Sequence, residues 1–258
     1  MNNFDAGYLS LLNEVLSDGT DCSSRGLAYT QVFGQVTRVD LREGFPLSTL
    51  RKLPWKAIVD ETLFDISGSS RLADMGAASP WWAYLADDEG YIDYTYGHAW
   101  RRTWGDQLPW VIDQLSFSAT SRSIILQTYD ASRRGQVVCP PCHTQLIFSS
   151  DGEHLDVMVV GRSNDLSIGY PTDVARYALL TMVLASWVHL KARYYFMPCA
   201  NNHIYTNNRW HAEELLKREP RVLPTVEITP DIHPFQLTPS DIQLIGYNPH
   251  QGLRPSFN

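Results

Sequence analysis

Cysteine is scarce, with four residues in 258, at positions 22, 139, 142 and 199. So few, so scattered, exclude a disulfide framework and leave reduced thiols as the default. Long hydrophobic runs are missing. No stretch approaches the roughly eighteen apolar residues of a membrane span, and "MNNFDAGYLS" has neither the basic nor the apolar region of a signal peptide. A soluble, cytoplasmic protein without a membrane partner is expected. Basic blocks are missing too, and the formal net charge is −7, which argues against nucleic acid as a substrate. An anionic ligand therefore needs a local cluster of arginines. With no repeat, low-complexity tract or linker, residues 1–258 read as a single domain. What is plentiful is apolar and aromatic: 44% hydrophobic residues, eight tryptophans and thirteen tyrosines. That is ample for a core. It also suits stacking on a planar ligand, although core packing explains most aromatics.

The patterning mixes helix and strand periods without regular βαβ alternation. "GYLSLLNEVLSDG" sets Leu9, Leu12, Val15 and Leu16 at helical spacing and stops at a glycine. "YTQVFGQVTRVDL" alternates as a strand, with Gly34 the place for a bulge. "PWKAIVDETLFDIS" is helical with proline in its first turn, and "WGDQLPWVIDQLSF" is a broken helical stretch. "RSIILQTYD", "HTQLIFSS" and "EHLDVMVVG" read as successive strands, the last two joined at Asp151-Gly152. "DVARYALLTMVLASWVHLKA" predicts the central buried helix, and "RWHAEELLKREPR" a polar surface helix. The proline-rich C-terminal stretch reads as extended segments and loops. The class is α+β with one large sheet.

Cys139-Pro-Pro-Cys142-His143 is open to several chemistries: covalent haem, half a zinc site, a redox pair, a nucleophile, or a buried turn. A zinc site needs four ligands, and only Cys199 and His203 are left to complete one. Haem attachment needs an oxidising compartment. A redox pair belongs at an early strand-to-helix turn, whereas this motif lies mid-chain between strands. Alone, it reads as a buried turn.

The next motif changes the balance. "VVGRSNDLSIGYPTDVARYALL" joins Arg162-Ser163-Asn164-Asp165 to Gly169-Tyr-Pro171-Thr-Asp173-Val-Ala175-Arg-Tyr177. Together with Pro141-Cys142-His143, the chain resembles the thymidylate synthase family, which carries P-C-H, then R-S-x-D, then G-x-P-x-N-x-A-x-Y. The resemblance runs nearly end to end through "DGT" at 18–20, Arg25, "GFPL" at 44–47, Glu61, Trp82, Tyr96-Gly97, "SR" at 121–122, "NHIY" at 202–205 and "REPR" at 218–221. It implies a thymidylate synthase-type fold, one large mixed sheet flanked by helices, acting as a homodimer. Cys142 is then the nucleophile and Cys139 incidental.

Carbon 5 of a pyrimidine is too weak a nucleophile to accept a carbon unaided. A thiolate adding to carbon 6 makes carbon 5 enamine-like, which is the need Cys142 meets. A free thiol has a pKa of about 8.5, and a nearby Arg162 is expected to raise its ionised fraction. The resemblance further implies that Arg25, Arg162 and Ser163 bind the phosphate, with Arg122 reaching in from a second subunit. The family usually has two consecutive arginines where this chain has Arg122-Ser123, so Arg133 or Arg134 is a candidate substitute. His203 and Tyr205 would bind the sugar hydroxyl. The implied one-carbon donor is methylenetetrahydrofolate, with Asp165, Trp82 and Gly169 on its side of the site and no metal. Glu61 would organise water and protons, and Tyr96 would help remove the carbon-5 proton. Without the family register, Glu61 is a solvated helix residue and Trp82 a core aromatic.

Asp173 departs from the pattern, standing where thymidylate synthases have asparagine. A carboxylic acid can donate to ring nitrogen 3 of cytosine while its other oxygen accepts from the amino group. The local alternative is an N-cap of the central helix. In this aspartate the chain is closest to the deoxycytidylate hydroxymethylases of bacteriophages, in which water, not hydride, completes the one-carbon unit; a host-cytoplasm location follows if the source is a phage. Leu85, Gly161 and the terminus "RPSFN" also depart from the family's folate side. Deoxycytidylate methylation, thymidylate synthesis, cytidylate hydroxymethylation and a non-catalytic nucleotide- or RNA-binding role are the alternatives.

Overall fold

The computed structural model describes residues 2–256, so Phe257 and Asn258 of the terminus "RPSFN" lie outside the described residues. Helix α1 (Asn3–Asp18) starts where the Asn2 side chain accepts the Asp5 N–H at 2.9 Å. It buries Phe4, Tyr8, Leu11, Leu12 and Val15 on one face. Strands β1 (Thr20–Ser24) and β2 (Leu27–Asp40) form a hairpin whose two-residue turn is Arg25-Gly26, at φ 52° and 80°. Such a turn favours residues at ease in left-handed backbone, and arginine is not one of them. Helix α2 (Trp55–Ser67) follows Pro54, which occupies the N-cap, not the first turn. It ends at Gly68, left-handed at φ 71°, whose N–H bonds the Asp65 carbonyl.

Short helices α3 (Ser79–Trp82) and α4 (Tyr96–Arg101) bracket an irregular segment. Helix α5 (Gln107–Phe117) is continuous, because Pro109 falls in its first turn, where no N–H is required. Of "RSIILQTYD" only β3 (Ile125–Gln127) pairs. β4 (His143–Ser150) and β5 (His154–Gly161) form the expected hairpin, with a bulge between His143 and Gln145. After the two-residue β6 (Asn164–Asp165) comes α6 (Tyr170–Trp187), starting three residues before Asp173 and ending short of the expected tail. Its buried residues run almost round the helix, which makes it the core's central rod.

Lys191 and Ala192, expected in that helix, begin β7 (Lys191–Tyr205), the longest strand. Helix α7 (Arg209–Leu215) is amphipathic, not polar: His211, Ala212 and Leu215 are buried. The C-terminal stretch is more ordered than expected, with β8 (Thr225–Ile228) pairing antiparallel to β9 (Ile242–Ile245).

The main sheet has seven strands, with β1-β2-β7-β5-β4-β3 in a row and β6 beside β7. β5 and β6 run parallel to β7 and the other pairs are antiparallel, so the sheet is mixed and flanked by helices. Gly34 has φ 81°, yet the β2–β7 register is unbroken across it. Both strands shift phase together: Val32 and Val39 are buried in β2, and Cys199 and Asn202 in β7, at odd separations. The expected one-strand bulge is thus a matched kink in two strands. It bends the sheet beside the end of β5.

Candidate active site

Cys142 immediately precedes β4 and Arg162 immediately follows β5, and the pair His143–Gly161 sets them side by side. The Arg162 N–H donates to the Cys142 carbonyl at 2.8 Å. Its side chain closes the turn: Nε donates to the Pro141 carbonyl at 2.8 Å and Nη2 to the Pro140 carbonyl at 2.5 Å. Nη2 also lies 3.7 Å from Cys142 Sγ. The two prolines give rigid carbonyls for the guanidinium to grip, and Nη1 makes no hydrogen bond among the described residues. Burial pushes the Cys142 thiol up to about 12, against the opposing pull of Arg162. The expected effect of Arg162 has the right sign, but desolvation outweighs it.

Tyr96 opens α4, where the Thr95 hydroxyl accepts the His98 N–H. Its hydroxyl accepts the Cys142 N–H at 3.1 Å and lies 3.4 Å from His143 Nδ1. Burial holds Tyr96 well above the usual phenol range and pushes His143 down to about 3. Both are neutral near pH 7.

Below them lies a cluster of carboxyl groups around one buried cation. Arg176 Nη1 is 2.5 Å from Asp65 Oδ2 and 3.5 Å from Glu61 Oε1, and Nη2 is 3.2 Å from Asp173 Oδ1. The guanidinium sits between the rings of Tyr96 and Tyr177, at 4.6 and 4.5 Å from their centroids. Side-chain exposure is 3% for Arg176, 7% for Glu61 and 5% for Asp65, but 23% for Asp173. Burial raises all three carboxyls, with Arg176 opposing; Asp65 reaches about 7. The N-cap reading of Asp173 is excluded, because Gly169 is the N-cap and Asp173 lies one turn inside α6.

Trp82 pulls the Glu61 carboxyl down against the effect of burial, and its ring meets Tyr96 edge-on at 6.5 Å. Asp165 Oδ1 accepts the Ser167 and Ile168 N–H groups at 2.9 and 3.2 Å, shaping the turn into α6. Burial lifts its carboxyl to about 6. A Cβ on Gly169 would come within 3.0 Å of Asp173 Oδ2, so glycine there makes room for the carboxyl. His203 bonds Asn201 Oδ1 through Nδ1 at 2.8 Å and meets Tyr205 edge-on at 4.9 Å. Burial and then Arg162 lower His203 to about 4, and burial raises Tyr205, with Asp165 and Cys142 adding to it and Arg25 opposing. Ser163 is half-buried between Arg162 and Asn164.

Arg122 is not in this assembly. It is exposed in the segment between α5 and β3 and, among the described residues, makes no hydrogen bond or ion pair to the other candidates. Arg133 is tied to Asp93 at 2.7 Å and stacks on Tyr94, while Arg134 is exposed. Burial and then Cys139 push the Tyr84 hydroxyl up to about 12, and Cys199 packs beneath Gly161. Among the described residues no group of three or more His, Cys, Asp or Glu is placed to hold a metal ion. Nor is any described helix long and apolar enough to cross a membrane.

Arg176, Asp65 and His143 were not foreseen as site residues. A signal existed for two of them. Glu61 and Asp65 lie one helical turn apart within the apolar run of α2, and two buried carboxyls demand a cation. The arginine within "DVARYALL" is such a cation on a helix otherwise apolar in its interior.

The thymidylate synthase family model matches residues 6–257. That match covers almost the whole chain, and the α+β fold with its one large mixed sheet agrees with it. The chain therefore belongs to the thymidylate synthase family, whose domain carries out one-carbon transfer to carbon 5 of a pyrimidine nucleotide with methylenetetrahydrofolate as donor.

Proposed function

We propose that residues 1–258 act as one catalytic domain, a deoxycytidylate 5-hydroxymethylase: dCMP, methylenetetrahydrofolate and water give 5-hydroxymethyl-dCMP and tetrahydrofolate. The observation that carries this is Asp173, part-exposed at 23%, whose pKa burial raises against the opposing pull of Arg176. A protonated carboxyl matches the nitrogen-3 acceptor and amino donor of cytosine.

Cys142 adds to carbon 6 of the base, and Asp173 gives its proton to ring nitrogen 3 as charge arrives there. Arg162 holds the nucleophile's turn through the Pro140 and Pro141 carbonyls and steadies the thiolate from 3.7 Å. Its free Nη1, with Arg25 and Ser163, faces the phosphate, and His203 and Tyr205 face the sugar. The neutral Tyr96 hydroxyl, tied to the Cys142 N–H, relays the carbon-5 proton. Glu61 orients the water that completes the hydroxymethyl group. The folate supplies the carbon unit, and the residues present fit it: the half-buried Trp82 indole lies near Glu61, and Asp165 keeps Oδ2 free for the pterin. Gly169, next to the Asp165 carbonyl, keeps a side chain away from the Asp173 carboxyl.

A homodimer completes the phosphate site. Arg122 is exposed and makes no hydrogen bond or ion pair to its own chain's cluster among the described residues, so its contribution would reach a neighbour's site. Phe33 and Val36 leave an apolar patch on the sheet, at 83% and 50% exposure, for a second copy to cover. The contact between Asp173 and Arg176 favours a second reading, because an ionised Asp173 accepts from the N–H of uracil; the product is then thymidylate. Mass analysis of product from dCMP and from dUMP separates the readings. A hydroxymethyl gain on dCMP supports the proposal. A methyl gain on dUMP alone refutes it.

A further inference from the structure

The two oxygens of Asp173 are not equivalent. Oδ1 lies 3.2 Å from Arg176 Nη2, and Oδ2 lies over Gly169. A guanidinium offers only donors and is not deprotonated in a protein. The oxygen it touches is therefore an acceptor, and a proton on this carboxyl belongs on Oδ2. Arg176 has no freedom to swing away. It is 3% exposed, held by Asp65 at 2.5 Å and flanked by two aromatic rings. The groups facing it are Glu61 and Asp65 from α2, Tyr96 from α4, His143 from β4, and Asp173 and Tyr177 from α6.

We infer that Arg176, clamped by Asp65, is a positioning residue that fixes the hydrogen-bond polarity of Asp173 and so decides which pyrimidine the site accepts. This rests on the reading that Asp173 faces the base. A carboxylic acid is ambiguous: with its O–H toward nitrogen 3 it suits cytosine, and turned by half a rotation it suits uracil. Turning it here would aim the O–H at the Arg176 Nη2 donor, two donors facing across a buried gap. With Asp173 in its acid form, the cation thus works against uracil without touching it. Neither an unclamped acid nor an amide has this bias.

The test compares kcat/KM for dCMP and dUMP in the wild type, in Arg176→Met/Asp65→Leu, and in Asp65→Asn. The double variant removes the cation together with its nearest carboxyl, which proteins tolerate better than removing the cation alone, and leaves Glu61 and Asp173, whose pKa burial already raises. Its dCMP-to-dUMP ratio should fall at least about tenfold, the scale of one charge-assisted hydrogen bond. Asp65→Asn keeps Arg176 but loosens it, and should shift the ratio the same way by less. Adding Asp173→Asn to the double variant should then change the ratio less than it does in the wild type. Should the double variant not fold, the shift in Asp65→Asn decides. A merely structural role lowers both efficiencies and leaves their ratio unmoved, which overturns the inference while the proposed function stands. A wild type that prefers dUMP overturns the proposed function itself, and this inference with it.

Discussion

Alkylation of Cys142 in the ligand-free protein should climb about tenfold per pH unit from about pH 7 to about pH 10 without a plateau. Burial puts the thiol at about 12, while Arg162 at 3.7 Å pulls it down. At pH 7.5 the thiolate fraction is then on the order of three in a hundred thousand, against about one in ten for a free cysteine. The reaction with iodoacetamide should therefore be about three thousandfold slower than for an exposed thiol. Peptide mass spectrometry separates Cys142 from Cys139, which is an internal comparison. Arg162→Met should slow Cys142 further. Because the resting thiol is neutral, its proton must leave as the bond to carbon 6 forms, so kcat/KM should also rise with pH on the acid side. Saturation below about pH 9 would show an already activated thiolate and refute the reasoning.

Cys142→Ser should abolish turnover yet leave nucleotide affinity within about tenfold, measured by calorimetry, because a hydroxyl hardly ionises near neutral pH; Cys139→Ser should be tolerated. Arg176→Met alone strips Glu61, Asp65 and Asp173 of their cation and should cost about 3–5 kcal/mol at pH 8, read by thermal or urea unfolding. These carboxyls already titrate above their unfolded values, and the loss raises them further. Stability of that kind falls as pH rises through the folded range, so the defect should shrink toward pH 5. A defect that grows on acidification would contradict the cluster's assignment. Inactive Cys142→Ala chains mixed with Arg122→Ala chains should regain activity if Arg122 serves a neighbouring site; a fully active monomer by light scattering would exclude that.

The sequence exposed the residues that motifs keep close in the chain, and hid those that only the fold brings together. Cys142 and Arg162 are twenty residues apart, on paired strand ends. Their partnership was legible because each sits in a recognisable string. β7 was missed as a continuous strand because its inward phase slips near Ala200 and Pro198 interrupts it, so strict alternation fails. The C-terminal β8–β9 pair was hidden by its prolines. Asp65 and Arg176 were overlooked because each alone reads as an ordinary helix residue. Only the packing of α2 on α6 turns them into a buried pair.

The most direct test of the central claim is the ratio of kcat/KM for dCMP over dUMP, in the wild type and in Asp173→Asn, with tritium release from carbon 5 as the readout. The wild type should favour dCMP, because Asp173 can protonate ring nitrogen 3 as the Cys142 adduct forms. Asp173→Asn should lose that preference by several kcal/mol, since the amide also accepts from the N–H of uracil and donates to its carbonyl. A wild type that favours dUMP, or a ratio the substitution leaves unmoved, would contradict Asp173 as the base reader and return the protein to thymidylate synthesis.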